Sequence, residues 1–166
     1  MSLDNIQLPP FLVRELYKNS LVEADNQQLN TQILKGNDLL FLGKNQKNIL
    51  LIVEEQNAVY LPDEDLNFLV DILKACNLSL SDTALINFFQ NKAINYRSLL
   101  EKFKPETILF FGIEPAKLDF PLQFPHYQLQ AYNNQTYLSG PSLKELAADV
   151  EKKKLFWACL RKLFSI

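Results

Sequence analysis

Ile49-Leu50-Leu51-Ile52-Val53 is an unbroken apolar run rich in β-branched residues. A strand with one wet face alternates apolar and polar side chains, so a continuous run of this length reads as a strand buried on both faces. Such strands belong to parallel sheets, whose crossover helices cover the faces. This stretch therefore decides the fold class.

The neighbouring segments repeat the theme. Upstream, Leu39-Leu40-Phe41-Leu42 is a short apolar run, closed by the turn-forming stretch Gly43 to Asn48. Downstream, Pro62-Asp63-Glu64-Asp65 places acids where a helix N-terminus favours them. Leu66, Leu69, Val70, Ile72, Leu73 and Cys76 then recur at helical spacing, with an end expected near Asn77. Ala84 to Phe89 reads as a second core strand, 95–103 as a helix broken at Lys104-Pro105, and Thr107 to Ile113 as a third strand. Glu114 to Pro125 is proline-rich and irregular. Gln128 to Tyr132 and Thr136 to Leu138 look like shorter strands around Asn133-Asn134, and a last helix runs from Pro141 or Ser142 to about Phe164. Strands alternating with helices predict a three-layer α/β/α sandwich around a mainly parallel sheet of about four strands.

The chain has 166 residues, which suits a single domain: an N-terminal helix and loop over 1–30 and an α/β core over 39–166. Apolar residues make up 48% and charged residues 22%, within the globular range. The net charge of -2 argues against strong, direct nucleic-acid binding through phosphates, which needs a basic surface. No leader pattern opens the sequence and no apolar stretch has bilayer length, so the reading is a cytoplasmic protein without membrane contact. Cys76 and Cys159 both fall in apolar helical segments and read as free thiols; no Cys/His spacing suggests a metal, and no cofactor motif occurs. Pro9-Pro10 followed by Phe11 to Lys18 starts a helix, whose Leu8, Phe11, Leu12, Leu16, Tyr17 and Leu21 are the expected protein-docking residues.

In an open α/β sheet, ligands gather at the carboxyl ends of the strands. Those ends are Glu54 to Asn57, Asn87 to Gln90, Gly112 to Glu114, and Ser139 to Ser142. Glu54 or Glu55 offers a general base, or else a solvated strand end. His126, the only histidine, sits in a loop with no nucleophile nearby in sequence and reads as a surface residue. Gly112 reads as a strand-end turn, since no Gly-rich phosphate loop surrounds it. The basic residues Lys152 to Lys154, Arg161 and Lys162 on the last helix read as a solvated face or as a partner-docking one.

The order of these segments resembles the uracil-DNA glycosylase superfamily. The resemblance is carried by Ile49 to Glu55, Leu66 to Cys76, Leu78 to Asn87, Leu100 to Gly112, Gly140-Pro141-Ser142-Leu143-Lys144, and Lys154 to Arg161, spanning roughly 49–163. It implies that fold, with Glu54 or Glu55 matching the water-activating carboxylate and Asn87 a base-reading amide. The departures are chemical. The family's Gly-Glu-Ala-Pro-Gly type loop is replaced by Val53-Glu54-Glu55-Gln56-Asn57, which lacks the glycines that allow close backbone approach to a flipped base. The family's His-Pro-Ser motif is replaced by Gly140-Pro141-Ser142, so the imidazole that stabilises the departing uracil is missing. The four cysteines of the iron–sulfur branch are missing too. Glu54, Glu55, Asn87, Gly112, Gly140 and Ser142 would then line a vestigial pocket.

A non-catalytic group with a similar layout is the psi-subunit family of the bacterial DNA polymerase III clamp loader. The matching elements are Phe11 to Val22, Ile49 to Val53, Leu61-Pro62, and Leu155 to Phe164 with its Trp157. That resemblance implies a replication accessory without catalysis, whose partners are clamp-loader subunits, a chi-like subunit or single-strand-binding protein. The alternative is a divergent uracil-DNA glycosylase of base-excision repair using Glu54, Glu55 and Asn87.

Overall fold

A computed structural model describes residues 39–166 of the chain. The docking residues expected at Leu8, Phe11, Leu12, Leu16, Tyr17 and Leu21 lie outside the described residues.

Six strands form one mixed sheet: β1 (Phe41–Gly43), β2 (Ile49–Val53), β3 (Thr83–Asn87), β4 (Thr107–Phe111), β5 (Leu129–Tyr132) and β6 (Gln135–Gly140). Their order across the sheet is β1-β3-β2-β4-β6-β5. The four inner strands β3, β2, β4 and β6 are mutually parallel, and the edge strands β1 and β5 pair antiparallel. The sheet thus has six strands where about four were expected. The two edges account for the difference: β1, three residues long, was read only as a short apolar run, and β5, read as a shorter strand over Gln128 to Tyr132, is half exposed.

All five residues of β2 are buried, and so are all five of β3. Ile49, Leu51 and Val53 enter one apolar cluster, while Leu50 and Ile52 enter another on the opposite face. The first cluster takes Leu69 and Leu73 from helix α1 (Asp63–Ala75), Leu143 and Leu146 from α3 (Leu143–Ala148), and Phe156 and Leu160 from α4 (Val150–Phe164). The second takes Leu99 and Phe103 from α2 (Tyr96–Phe103) together with an aromatic group from the 110–137 region. There Phe124 stacks on Tyr137 at 4.6 Å between centroids and Phe110 meets Phe120 edge-on at 5.9 Å. The proline-rich loop is irregular, as expected, yet Leu118, Phe120 and Phe124 make it part of the core.

Several element boundaries differ from the sequence reading, and two of the differences have a side-chain cause. The strand expected over 84–89 stops at Asn87, because the Asn87 side chain accepts a hydrogen bond from the Phe89 N–H and turns the chain into a 3-10 turn, Phe88–Gln90. The last helix, expected unbroken from Ser142, is two helices. Asp149 leaves the helical region (φ -118°, ψ 113°) and its carboxylate accepts from the Glu151 and Lys152 N–H groups, capping α4.

Candidate functional site

The parallel register brings the four inner strand ends level, with Val53 opposite both Asn87 and Phe111, and Phe111 opposite Gly140. Glu54, Glu55, Asn87, Gly112, Gly140 and Ser142 therefore lie at the carboxyl end of the parallel strands, where Glu54, Glu55 and Ser142 line a common cavity and Asn87, Gly112 and Gly140 do not. What each does there follows from its contacts.

Asn87 is fully buried, at 0% exposure. Its Oδ1 accepts from the Glu55 N–H at 2.9 Å and the Phe89 N–H at 3.1 Å. Its Nδ2 donates toward the carbonyls of Glu55 (2.7 Å), Ala58 (3.0 Å) and Val59 (3.2 Å). A primary amide has two donor hydrogens and two principal lone-pair directions, so this pattern leaves nothing over for a ligand. Asn87 clips the 55–59 loop onto the end of β3.

Glu54 is paired with Lys117, both carboxylate oxygens lying 2.7–2.9 Å from Nζ. Glu55 turns its Oε1 back onto the Asn57 N–H at 3.0 Å, and its Oε2 lies 3.9 Å from Lys144 Nζ. Ser142 caps α3 by accepting from the Glu145 N–H at 3.3 Å. Gly112 takes φ +67°, and a Cβ there would fall 2.8 Å from Ser142 Cβ. At Gly140 a Cβ would fall 2.6 Å from the Phe156 ring. Both glycines let chain segments pack closely together.

The space left between Glu54, Glu55, Asp65, Ser142 and Lys144 is a cavity of about 30 Å³. A water needs roughly 10–15 Å³ of such space. Pockets that enclose drug-sized ligands start near 300 Å³, about tenfold larger.

Asp65 is a member that the sequence reading left among the acids of a helix start. It is 7% exposed. Burial raises its carboxyl above the usual range; Lys144 opposes that shift, while Glu55 and Glu64 add to it. A signal was present in the spacing: Asp65, Leu69 and Leu73 follow one another at i, i+4, i+8 and are the buried residues of α1.

His126 lies at the same end of the sheet but does not line that cavity. It forms an isolated bridge with Ser139 and lines, with Glu114, Gln123, Phe124 and Ser139, a separate cavity of about 220 Å³. A third space, about 370 Å³, is an apolar groove between α1 and α4, walled by Phe68, Ile72, Leu146, Phe156, Trp157 and Leu160. Three of the four lysines of α4 are engaged: Lys152 lies 3.8 Å from Glu145, Lys154 lies 3.2 Å from Glu151, and Lys153 sits over the Phe68 ring at 5.4 Å. Cys76 and Cys159 are free thiols, and the Cys159 Sγ lies 3.1 Å from the Tyr127 carbonyl. Among the described residues, no group of three His, Cys, Asp or Glu side chains is placed to hold a metal, and no helix is long and apolar enough to cross a membrane.

Compared with known protein families and with curated proteins, the chain matches none.

Proposed function

We propose that this chain is a catalytically empty scaffold of DNA replication, built as a three-layer α/β/α sandwich of the uracil-DNA glycosylase type and similar in role to the psi-subunit family. The observation that carries this reading is the state of Asn87. The residue that would read a base spends its whole amide on the 55–59 loop and on Phe89, and the cavity between Glu54, Glu55 and Ser142 has room for about one or two waters. The acids point the same way, since Glu54 is neutralised by Lys117 and Glu55 binds its own loop. The missing imidazole at Gly140 removes the group that would stabilise a leaving base.

In this reading the partners are clamp-loader subunits, a chi-like subunit or single-strand-binding protein, reached in the cytoplasm through Leu8 to Leu21 rather than through nucleic acid. The test mixes the purified full chain with clamp-loader and single-strand-binding proteins of the same cell and follows complex formation by size-exclusion chromatography. Co-elution that is lost when residues 1–20 are deleted supports the proposal, provided circular dichroism shows that the truncated chain is still folded. Co-elution unchanged by the deletion refutes the assignment of the docking segment, and no co-elution refutes the replication role. Excision of uracil from single strands, abolished by Glu54→Gln or Glu55→Gln, establishes the glycosylase instead.

A further inference from the structure

We propose that the 220 Å³ cavity beside His126 is a binding site for a small organic cation, an amine or amidinium group carried on a compact apolar body. Three independent features of the cavity support this.

The first is a hydroxyl without a partner. Along β6, Tyr137 packs into one apolar cluster and Leu138 into the other, so Ser139 points to the Tyr137 side. That is the side on which Ile113 and Phe124 wall the cavity. Ser139 is 1% exposed, and its Oγ has no hydrogen-bond partner among the described residues. A buried hydroxyl left unmatched is unfavourable; the Oγ is itself closed to solvent, so a donor or acceptor in the cavity relieves it when the Ser139 side chain turns to meet it.

The second is the sign of the lining. Glu114 lines the cavity, is exposed, and has no ion pair among the described residues. Lys117, which follows it one turn later, is held by Glu54 instead. Among the described residues, no Lys or Arg lines the cavity; its other polar members are Gln123, His126 and Ser139. An anion would meet a carboxylate and no fixed positive charge, whereas a cation gains a charge-assisted hydrogen bond. One carboxylate is too few for a bare calcium ion, which takes about six to eight oxygens.

The third is shape and surface. Ile113, Pro115 and Phe124 are buried apolar walls, so one side of the ligand must be apolar. The volume equals that of about seven liquid waters, enough for a compact ring with one polar head.

The test uses three probes of nearly equal shape: benzamidine (cation), benzamide (neutral) and benzoate (anion). Each is titrated to millimolar concentration into the full-length protein, and amide shifts are followed by NMR. Benzamidine is expected to move the resonances of 113–116, 123–126 and 139 with a saturating curve, benzamide more weakly, and benzoate not at all. Glu114→Gln, at an exposed position, should erase the preference for benzamidine over benzamide, a change of about threefold to tenfold. Ser139→Ala breaks no internal hydrogen bond and should weaken both probes about threefold or more. Equal binding of benzoate overturns the proposal. So do the lack of a saturating shift at these residues and unchanged binding by both variants; a cavity filled by water alone gives the last two results.

Discussion

If Asn87 is a structural clip, Asn87→Ala must unfold the protein more easily, whereas a spare ligand-reading amide could be removed at little cost. The substitution strands the N–H groups of Glu55 and Phe89, which lose their acceptor, and frees the carbonyls of Glu55, Ala58 and Val59. Val59 is exposed and Ala58 half-buried, so those carbonyls can turn to water. The two N–H groups and the small void beneath them dominate. At about 1–3 kcal/mol for each unsatisfied buried group, with some relief from the half-exposed loop, the expected loss is about 3 kcal/mol. Urea unfolding measures it: with a slope of about 1.5–2 kcal/mol/M, the midpoint should fall by about 1.5–2 M. Hydrogen exchange adds a local reading, since amides 55–59 should lose protection beyond the global change. Asn87→Asp should be no better, because it sets a carboxylate oxygen against three carbonyls in a buried place. A loss below about 1 kcal/mol for Asn87→Ala, or normal exchange in the loop, would refute the clip.

Three further predictions concern the same region and its support. Gly140→Ala drives a methyl into the Phe156 ring at 2.6 Å, and that ring is packed on Phe111 at 5.4 Å; a loss of about 1–3 kcal/mol, seen as a lower Tm, is expected. An unchanged Tm would show that α4 is free to move away. Asp65 titrates above the usual carboxyl range because it is buried, so its ionised form opposes folding at neutral pH and the opposition disappears as pH falls below the ordinary carboxyl value. Asp65→Asn should therefore stabilise the protein at neutral pH, with a gain that shrinks in acid; urea midpoints at the two pH values decide, and a gain that grows in acid contradicts the reasoning. Burial pushes the Cys76 thiol up to about 11 and leaves it 4% exposed, so a disulfide reagent at mildly alkaline pH should reach Cys159 first and Cys76 only on unfolding. Equal rates for the two thiols would rule that out.

Much of this protein is written in short-range pattern. The run Ile49 to Val53 is apolar throughout because both faces of β2 are covered, and that alone carries the α/β class and the parallel inner strands. The i, i+4 stripe of α1 and the Lys104-Pro105 stop of α2 were legible for the same reason: they depend on residues within a turn or two of each other. The convergence of Glu54, Glu55, Asn87, Gly112, Gly140 and Ser142 also follows from the sequence, once the strands are parallel and their ends level.

What those residues do was decided by contacts between distant segments. Asn87 bonds to a loop about thirty residues upstream, and nothing in Ala84-Leu85-Ile86-Asn87 distinguishes a free amide from one already spent. Lys117 comes from a loop sixty-three residues after Glu54 to neutralise it. The break at Asp149 depends on a competition between one carboxylate cap and continued helix, which helical periodicity does not register. Edge strand β1 is held by pairing with β3 and is three residues long, so its sequence shows a short apolar run but not a strand. Sequence determined which side chains gather at the strand ends, because strand direction and periodicity are local; tertiary structure alone decided that their polar atoms are already paired, because pairing depends on which distant groups the fold brings within 3 Å or so of each other.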